Sequence, residues 1–216
     1  MPRNAERKRA SRQRILEAAA TCFTRRGFDA VSIDEVMAVA GMTRGGFYAH
    51  FTSKSALYAS ALRHAATQGA ERLDSLAGPQ LRIDTYLRQS ADQANAVCPL
   101  ACLVSDVAQR DERVRTTYTA LLEGFLERFQ MPDAGGPDAR QRALKQAVAM
   151  IGSLAIARTV NDSQLTDELL AAGRELAADA ALPGKERPAP APPPASRHDR
   201  QGTQKAHQAP ASAPSP

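Results

Sequence analysis

Between residues 43 and 54 the chain sets a group of polar side chains around two adjacent glycines: Thr43, Arg44, Gly45, Gly46, Tyr48, His50 and Lys54. An arginine guanidinium matches the paired O6 and N7 acceptors that guanine offers in the major groove. Hydroxyl, imidazole and ammonium groups suit phosphate oxygens. Glycine costs a helix about 1 kcal/mol relative to alanine, so a glycine pair implies that another body must come close to the backbone. Gly45 and Gly46 are expected to leave the outer face of a short helix bare, so that it sits deep in a groove with Arg44 at the base edges. Phe47 and Phe51 would point the other way, into a small core with Ile15, Phe23 and Ile33.

The flanking sequence supplies the scaffold for that helix. A first helix reads from about Ser11 to Arg26, with Ile15, Ala19, Cys22 and Phe23 on one face and Gly27 as its stop. Ser32 can cap a second helix, and Glu35 three residues on would complete a capping box. A tight turn through Gly41 follows, then a third short helix capped by Thr43 and ending near His50. A fourth helix is capped by Ser53. Three short helices with a tight turn between the last two make a helix-turn-helix, the third helix being the reading element.

Charge agrees with this placement. Net charge is +5 over 216 residues. Residues 1–63 carry eleven Lys/Arg against five Asp/Glu, while the remainder carries seventeen against eighteen. A basic excess confined to the N-terminal third points to an anionic partner there, nucleic acid or membrane surface. The segment 1–10, with Arg3, Arg7, Lys8 and Arg9, reads as a flexible arm, and such arms together with Arg12 can enter an adjacent minor groove.

Beyond the fourth helix the pattern stays helical, so the fold class is all-α. An amphipathic helix from about Asp111 to Phe129 aligns Val114, Tyr118, Leu121, Leu122, Phe125, Leu126 and Phe129. Two long helices follow, at about 139–160 and 163–181. The first is small and apolar almost all round and is expected to be buried on more than one side. Residues 183–216 hold nine of fourteen prolines and no Leu, Ile, Val or Phe, a composition that cannot bury enough surface to fold.

The run from residue 15 to 62, with "SIDEVMAVAGMTRGGFYAHF" across the turn and "SKSALY" opening the fourth helix, resembles the DNA-binding domain of the TetR family of transcriptional regulators. The resemblance implies about nine helices, a homodimer on a palindromic operator, and a C-terminal domain that binds a small effector. It puts DNA contacts on Thr43, Arg44, Gly45, Tyr48, His50 and Lys54. With Ser32 and Gly46 these make the candidate DNA-binding set. Ala49 departs from the polar or aromatic side chain common at that position, which leaves Arg44 as the main base reader. The implied domains are a basic arm (1–10), a helix-turn-helix domain (11–53), an effector-binding and dimerisation domain (54–182) and a Pro/Ala-rich tail (183–216). Dimer pairing is expected through the helices at about 139–160 and 163–181, and the helix from Lys54 is expected to carry motion between the domains.

Tyr118, Phe125 and Met150 are candidate effector contacts. Cys98 and Cys102, four apart at a helix start, are candidate redox positions, since a helix N-terminus lowers a thiol's pKa; the alternative is that both are small buried apolar residues. Cys22 is expected in the core. The histidines show no ligand spacing with the cysteines, so neither a metal site nor a cofactor is expected, and no catalytic constellation stands out. The three cysteines, with no apolar stretch of spanning length and no secretory leader pattern, suggest a reducing, cytoplasmic compartment. The leading expectation is a repressor released from its operator by a small molecule. The alternatives are a thiol-triggered repressor using Cys98 or Cys102, and a helical partner-binding protein that has lost its operator.

Overall fold

The computed structural model describes residues 2–88, 98–130 and 137–182. The segment 183–216, read above as a tail, lies outside the described residues.

The described residues form nine α-helices and one 3₁₀ helix: α1 (Pro2–Arg26), α2 (Ile33–Val39), the 3₁₀ helix (Arg44–Ala49), α3 (Lys54–Asp74), α4 (Pro79–Arg88), α5 (Pro99–Cys102), α6 (Val104–Ala108), α7 (Glu112–Phe129), α8 (Pro137–Ala157) and α9 (Ser163–Ala181). The all-α expectation holds. The basic segment expected to be a flexible arm is instead the first part of α1. Nothing between Pro2 and Ser11 breaks a helix, Pro2 suits a first helical position, and Ala, Glu, Arg and Lys extend a helix already nucleated by the buried Ile15–Phe23 stretch.

Local signals fix the ends. Gly27 closes α1 with φ +76°, a conformation that a β-carbon makes costly. Gly41, at φ +67°, makes the turn after α2. Ser32 Oγ accepts from Glu35 N at 3.1 Å, as the capping box requires. The reciprocal half does not form, because the Glu35 carboxylate pairs with Arg26 across the loop. Ser53, Asp111 and Asp162 cap α3, α7 and α9 through their side chains.

Two clusters of buried side chains make the core. One joins Ile15, Phe23, Val36, Met37, Phe47, Phe51, Leu57 and Tyr58 to Leu103, Val107 and Val114. The other joins Leu73, Ile83, Tyr86, Leu100, Phe125, Leu126, Met150 and Leu154 with residues of α9. Tyr118 and Leu121 pack against both. The apolar core therefore does not break at 53/54: α3 gives its first half to one cluster and Leu73 to the other.

Within the single chain α8 is covered along one face. Ala139, Ala143, Ala147, Met150, Leu154 and Ala157 are buried in the helical register, but Val148 is 73% exposed and Ile156 more than half exposed. α9 likewise exposes Leu165 and Leu176. The two helices meet closely at Gly173, where a β-carbon would collide with Ser153.

Candidate nucleic-acid interface

The short 3₁₀ helix is presented by its own buried side. Phe47 is fully buried and Phe51 nearly so, their rings stacked 5.9 Å apart, and both join the cluster around Ile15 and Phe23. Ile33 is partly buried against the same cluster. With Phe47 and Phe51 fixed inside, the opposite side must face out. Thr43, Arg44, Gly45, Tyr48 and Ala49 are exposed, and Tyr48 is 66% so. Thr43 occupies the cap position but makes no side-chain cap bond. Ser32 is exposed at the N-cap of α2, its hydroxyl engaged in that helix's cap.

The glycine pair divides. A β-carbon on Gly45 would meet nothing within 4 Å, so this residue belongs to the bare outer face. One on Gly46 would lie 3.6 Å from Met42 Cε and 3.7 Å from Met37 Cε. Gly46 therefore faces the interior, and the expectation that both glycines bare the outer face is corrected. At three residues per turn, Gly45 and Tyr48 align on the exposed side, while Phe47 and the adjoining His50 turn inward.

His50 follows from that geometry. It is half-buried, and its Nδ1 is buried without a hydrogen bond. Burial lowers its pKa below the usual imidazole value, reinforced by the positive charges of Lys8 and Arg12. That shift works against the charged form a phosphate clamp would use. Lys54 is also engaged: its Nζ lies 4.2 Å over the Phe28 ring, and burial lowers its pKa, opposed by Asp29.

Arg44 is exposed beside Gly45, and it has a partner the sequence did not announce. Its Nη1 lies 2.5 Å from Asp34 Oδ2, and both side chains are exposed. α1 adds Arg12 beside the 3₁₀ helix, its guanidinium 4.5 Å over the Phe51 ring. The exposed cations Arg7, Lys8 and Arg9 precede it on the same helix.

A polar joint ties this end of the molecule to α6. Asp106 Oδ1 accepts from Phe28 N at 3.3 Å, and Oδ2 accepts from the Tyr58 hydroxyl. Arg110 grips Asp29 through two bonds of 3.0 and 2.9 Å and lies 4.8 Å over the Phe28 ring. Burial and the Asp106 carboxylate together push the Tyr58 hydroxyl well above its ordinary pKa, so it stays a donor. Gly27 has no room for a side chain here without pressing on Asp106.

On the other side of Tyr118 and Leu121, a cavity of about 120 Å³ opens between α3, α4, α5 and α7. Of the three candidate effector contacts, Phe125 lines it; Tyr118 and Met150 do not. The Tyr118 hydroxyl donates to Leu100 O at 2.6 Å, and Met150 is fully buried in the core. Cys98 also lines the cavity. Burial raises the pKa of Cys98 and pushes Cys102 up to about 12. The lowered thiol pKa that a redox role needs is thus the opposite of what the surroundings impose. α5 is a four-residue helix ended at Leu103, too short to offset the loss of solvation. Cys22 is buried, as expected. Among the described residues no group of His, Cys, Asp and Glu could hold a metal ion, and no helix is long and apolar enough to cross a membrane.

Residues 15–61 match the family described as bacterial regulatory proteins, tetR family. The uncharacterized HTH-type transcriptional regulator YfiR of Bacillus subtilis (strain 168) is 30% identical over 131 residues, covering 57% of this chain and 64% of that protein. The transcriptional regulator AcuR of Cereibacter sphaeroides is 27% identical over 136 residues, covering 60% and 62%. The chain thus spans less than two thirds of the length of either relative. Among solved structures, a TetR-family regulator from Cytophaga hutchinsonii matches with a TM-score of 0.63 at 16% identity, over 80% of this chain and 96% of that one. The reduced form of E. coli NemR matches with a TM-score of 0.60 at 21% identity, over 77% and 96%. At such identities the likeness is one of fold.

Proposed function

We propose that the chain, whose residues 15–61 carry the tetR-family match, is a DNA-binding transcriptional repressor of that family and not an enzyme, released from a palindromic operator by a small molecule. The observation that carries this reading is the exposed row Thr43, Arg44, Gly45 and Tyr48 on a helix anchored from behind by Phe47 and Phe51. Arg44 is the base reader, Gly45 permits close approach, and Thr43 and Tyr48 donate to phosphates. Arg7, Lys8, Arg9 and Arg12 on α1 supply sequence-independent attraction.

A palindrome requires two reading heads. The uncovered apolar strip of Val148 and Ile156 on α8, with Leu165 and Leu176 on α9, is suited to its own copy in a second chain. The open side of Gly152 would let the two α8 helices come close. Val148→Asp is expected to give monomers in sedimentation, and a dimer that survived it would count against this face. The half-sites would lie about 34–36 Å apart, or at a modest offset from that spacing.

Release works by linkage. An effector that binds better to a form with badly spaced reading heads lowers operator affinity by its differential affinity for the two forms. α3 runs from the first cluster to the cavity wall, and the Asp106 joint fixes its upper half to α6, so both are placed to carry the shift. A thiol trigger at Cys98 or Cys102 is disfavoured by the raised pKa of both groups.

The test is a fluorescence-anisotropy titration against the DNA upstream of the chain's own coding sequence, with a random duplex as competitor. Specific binding at moderate salt supports the proposal. Equal affinity for both duplexes, or none, favours a partner-binding protein that has lost its operator.

A further inference from the structure

The cavity beside α3 carries more information about its occupant than its place in the fold. We propose that it is built for one neutral molecule of about six to eight non-hydrogen atoms, mostly apolar, carrying a single acceptor oxygen such as a ketone, with the Tyr86 hydroxyl as its donor. This rests on the effector-responsive reading above and names the class of effector.

Size is the first argument. The cavity measures about 120 Å³, near the 150 Å³ of an engineered apolar cavity that takes up benzene. Its walls are largely apolar: Leu73, Leu100, Leu121, Phe125 and Pro99 line it. Two glycines, Gly69 and Gly124, also lie in the wall.

The second argument is an unused donor. Tyr86 is 1% exposed, lines the cavity, and its hydroxyl makes no hydrogen bond of ordinary geometry. The Cys98 thiol is its neighbour and takes a weak hydrogen-bond-like contact from it, because sulfur is a weak acceptor. Buried hydroxyls nearly always find partners, and an exception calls for an explanation. An acceptor oxygen on a bound molecule supplies one.

The third argument is charge. Among the described residues of the wall Arg128 is the cation, and it is already committed: its Nε lies 3.3 Å from Asp74 Oδ2 and its Nη1 donates to Gly124 O at 2.7 Å. Burial keeps the Tyr86 hydroxyl and the Cys98 thiol protonated. A carboxylate would have to be desolvated without a free counter-charge, whereas a ketone would not.

The test uses the full chain, without DNA, in calorimetric titrations with cyclohexanone, toluene and benzoate, on the wild type and Tyr86→Phe. Cyclohexanone is expected to bind the wild type about fivefold more tightly than the variant, with toluene unchanged or improved, and benzoate weaker than cyclohexanone. Equal affinity of cyclohexanone for both chains, no measurable binding, or benzoate as the tightest ligand would each overturn the proposal. Folding gives an independent check. Tyr86→Phe removes a hydroxyl whose neighbour is only the Cys98 sulfur, so its thermal midpoint should equal or exceed that of the wild type. A lower midpoint would mean the hydroxyl is already satisfied, and the assignment fails. A chain that discriminates cyclohexanone through Tyr86 yet binds no DNA upholds this assignment and overturns the regulatory one.

Discussion

Arg44 Nη1 and Asp34 Oδ2 lie 2.5 Å apart across the turn between α2 and the 3₁₀ helix. The residue placed to read a base is therefore aimed by a carboxylate that would itself face the phosphates. Asp34→Asn should raise affinity for random-sequence duplex about threefold by removing that repulsion, and should lower the ratio of specific to non-specific affinity by loosening Arg44. Exposed ion pairs stabilise a fold by at most about 1 kcal/mol, so the denaturation midpoint should barely move. Anisotropy titrations at two salt concentrations check both parts; a variant with unchanged affinity for both duplexes would remove Asp34 from the account.

Asp106 should behave as the keystone of the joint between α1, α3 and α6. Asp106→Ala leaves the Tyr58 hydroxyl and the Phe28 N–H without their acceptor, at a cost of about 2–4 kcal/mol in chemical denaturation. Tyr58→Phe should cost less, since Asp106 keeps Phe28 N. The double variant should be less destabilised than the sum of the two, because the pair shares one bond. Strict additivity would mean that the two residues do not act together.

The cysteines give a pH-dependent expectation. Cys102 has a folded pKa of about 12 against an ordinary 9.0, because burial disfavours the thiolate. The folded chain therefore holds this proton more tightly than the unfolded chain does. Its contribution to stability is whole below about pH 9 and is lost as pH rises from there to about 12. Cys98 shifts in the same direction. Alkylation of both thiols at pH 7.5 should be far slower in the folded protein than in denaturant, and Cys102→Ser, outside the cavity wall, should keep its DNA binding and its effector response. Rapid alkylation of the folded chain would revive the thiol trigger.

What could be read from the sequence was what local chemistry decides. The caps at Ser32 and Ser53, the stop at Gly27, the turn at Gly41 and the inward pair Phe47 and Phe51 depend on a few neighbouring residues, and they form as their types demand. What escaped depends on helix type or on distant partners. The inward turn of His50 beside Phe47 follows from 3₁₀ rather than α geometry, a difference of about 0.6 residue per turn that no side-chain pattern encodes in six residues, and Gly46 faces inward because Met37 and Met42 pack against it. Lys54 meets Phe28, Tyr58 meets Asp106 and Arg44 meets Asp34 only once the helices have packed. The cavity was out of reach for the same reason. Phe125 lines it but Tyr118 does not, and no local pattern marks Tyr86 as part of its wall.

The central claim is that Arg44 reads a base from a helix whose exposed face Gly45 keeps bare. The most direct measurement is the ratio of operator to random-duplex affinity, at fixed salt, for the wild type, Arg44→Ala, Gly45→Leu and the inward-facing control Gly46→Ala. The account predicts that Arg44→Ala loses about 1–3 kcal/mol of discrimination, that Gly45→Leu loses specific binding while remaining folded, and that Gly46→Ala binds like the wild type. An undiminished ratio in Arg44→Ala or Gly45→Leu would contradict it.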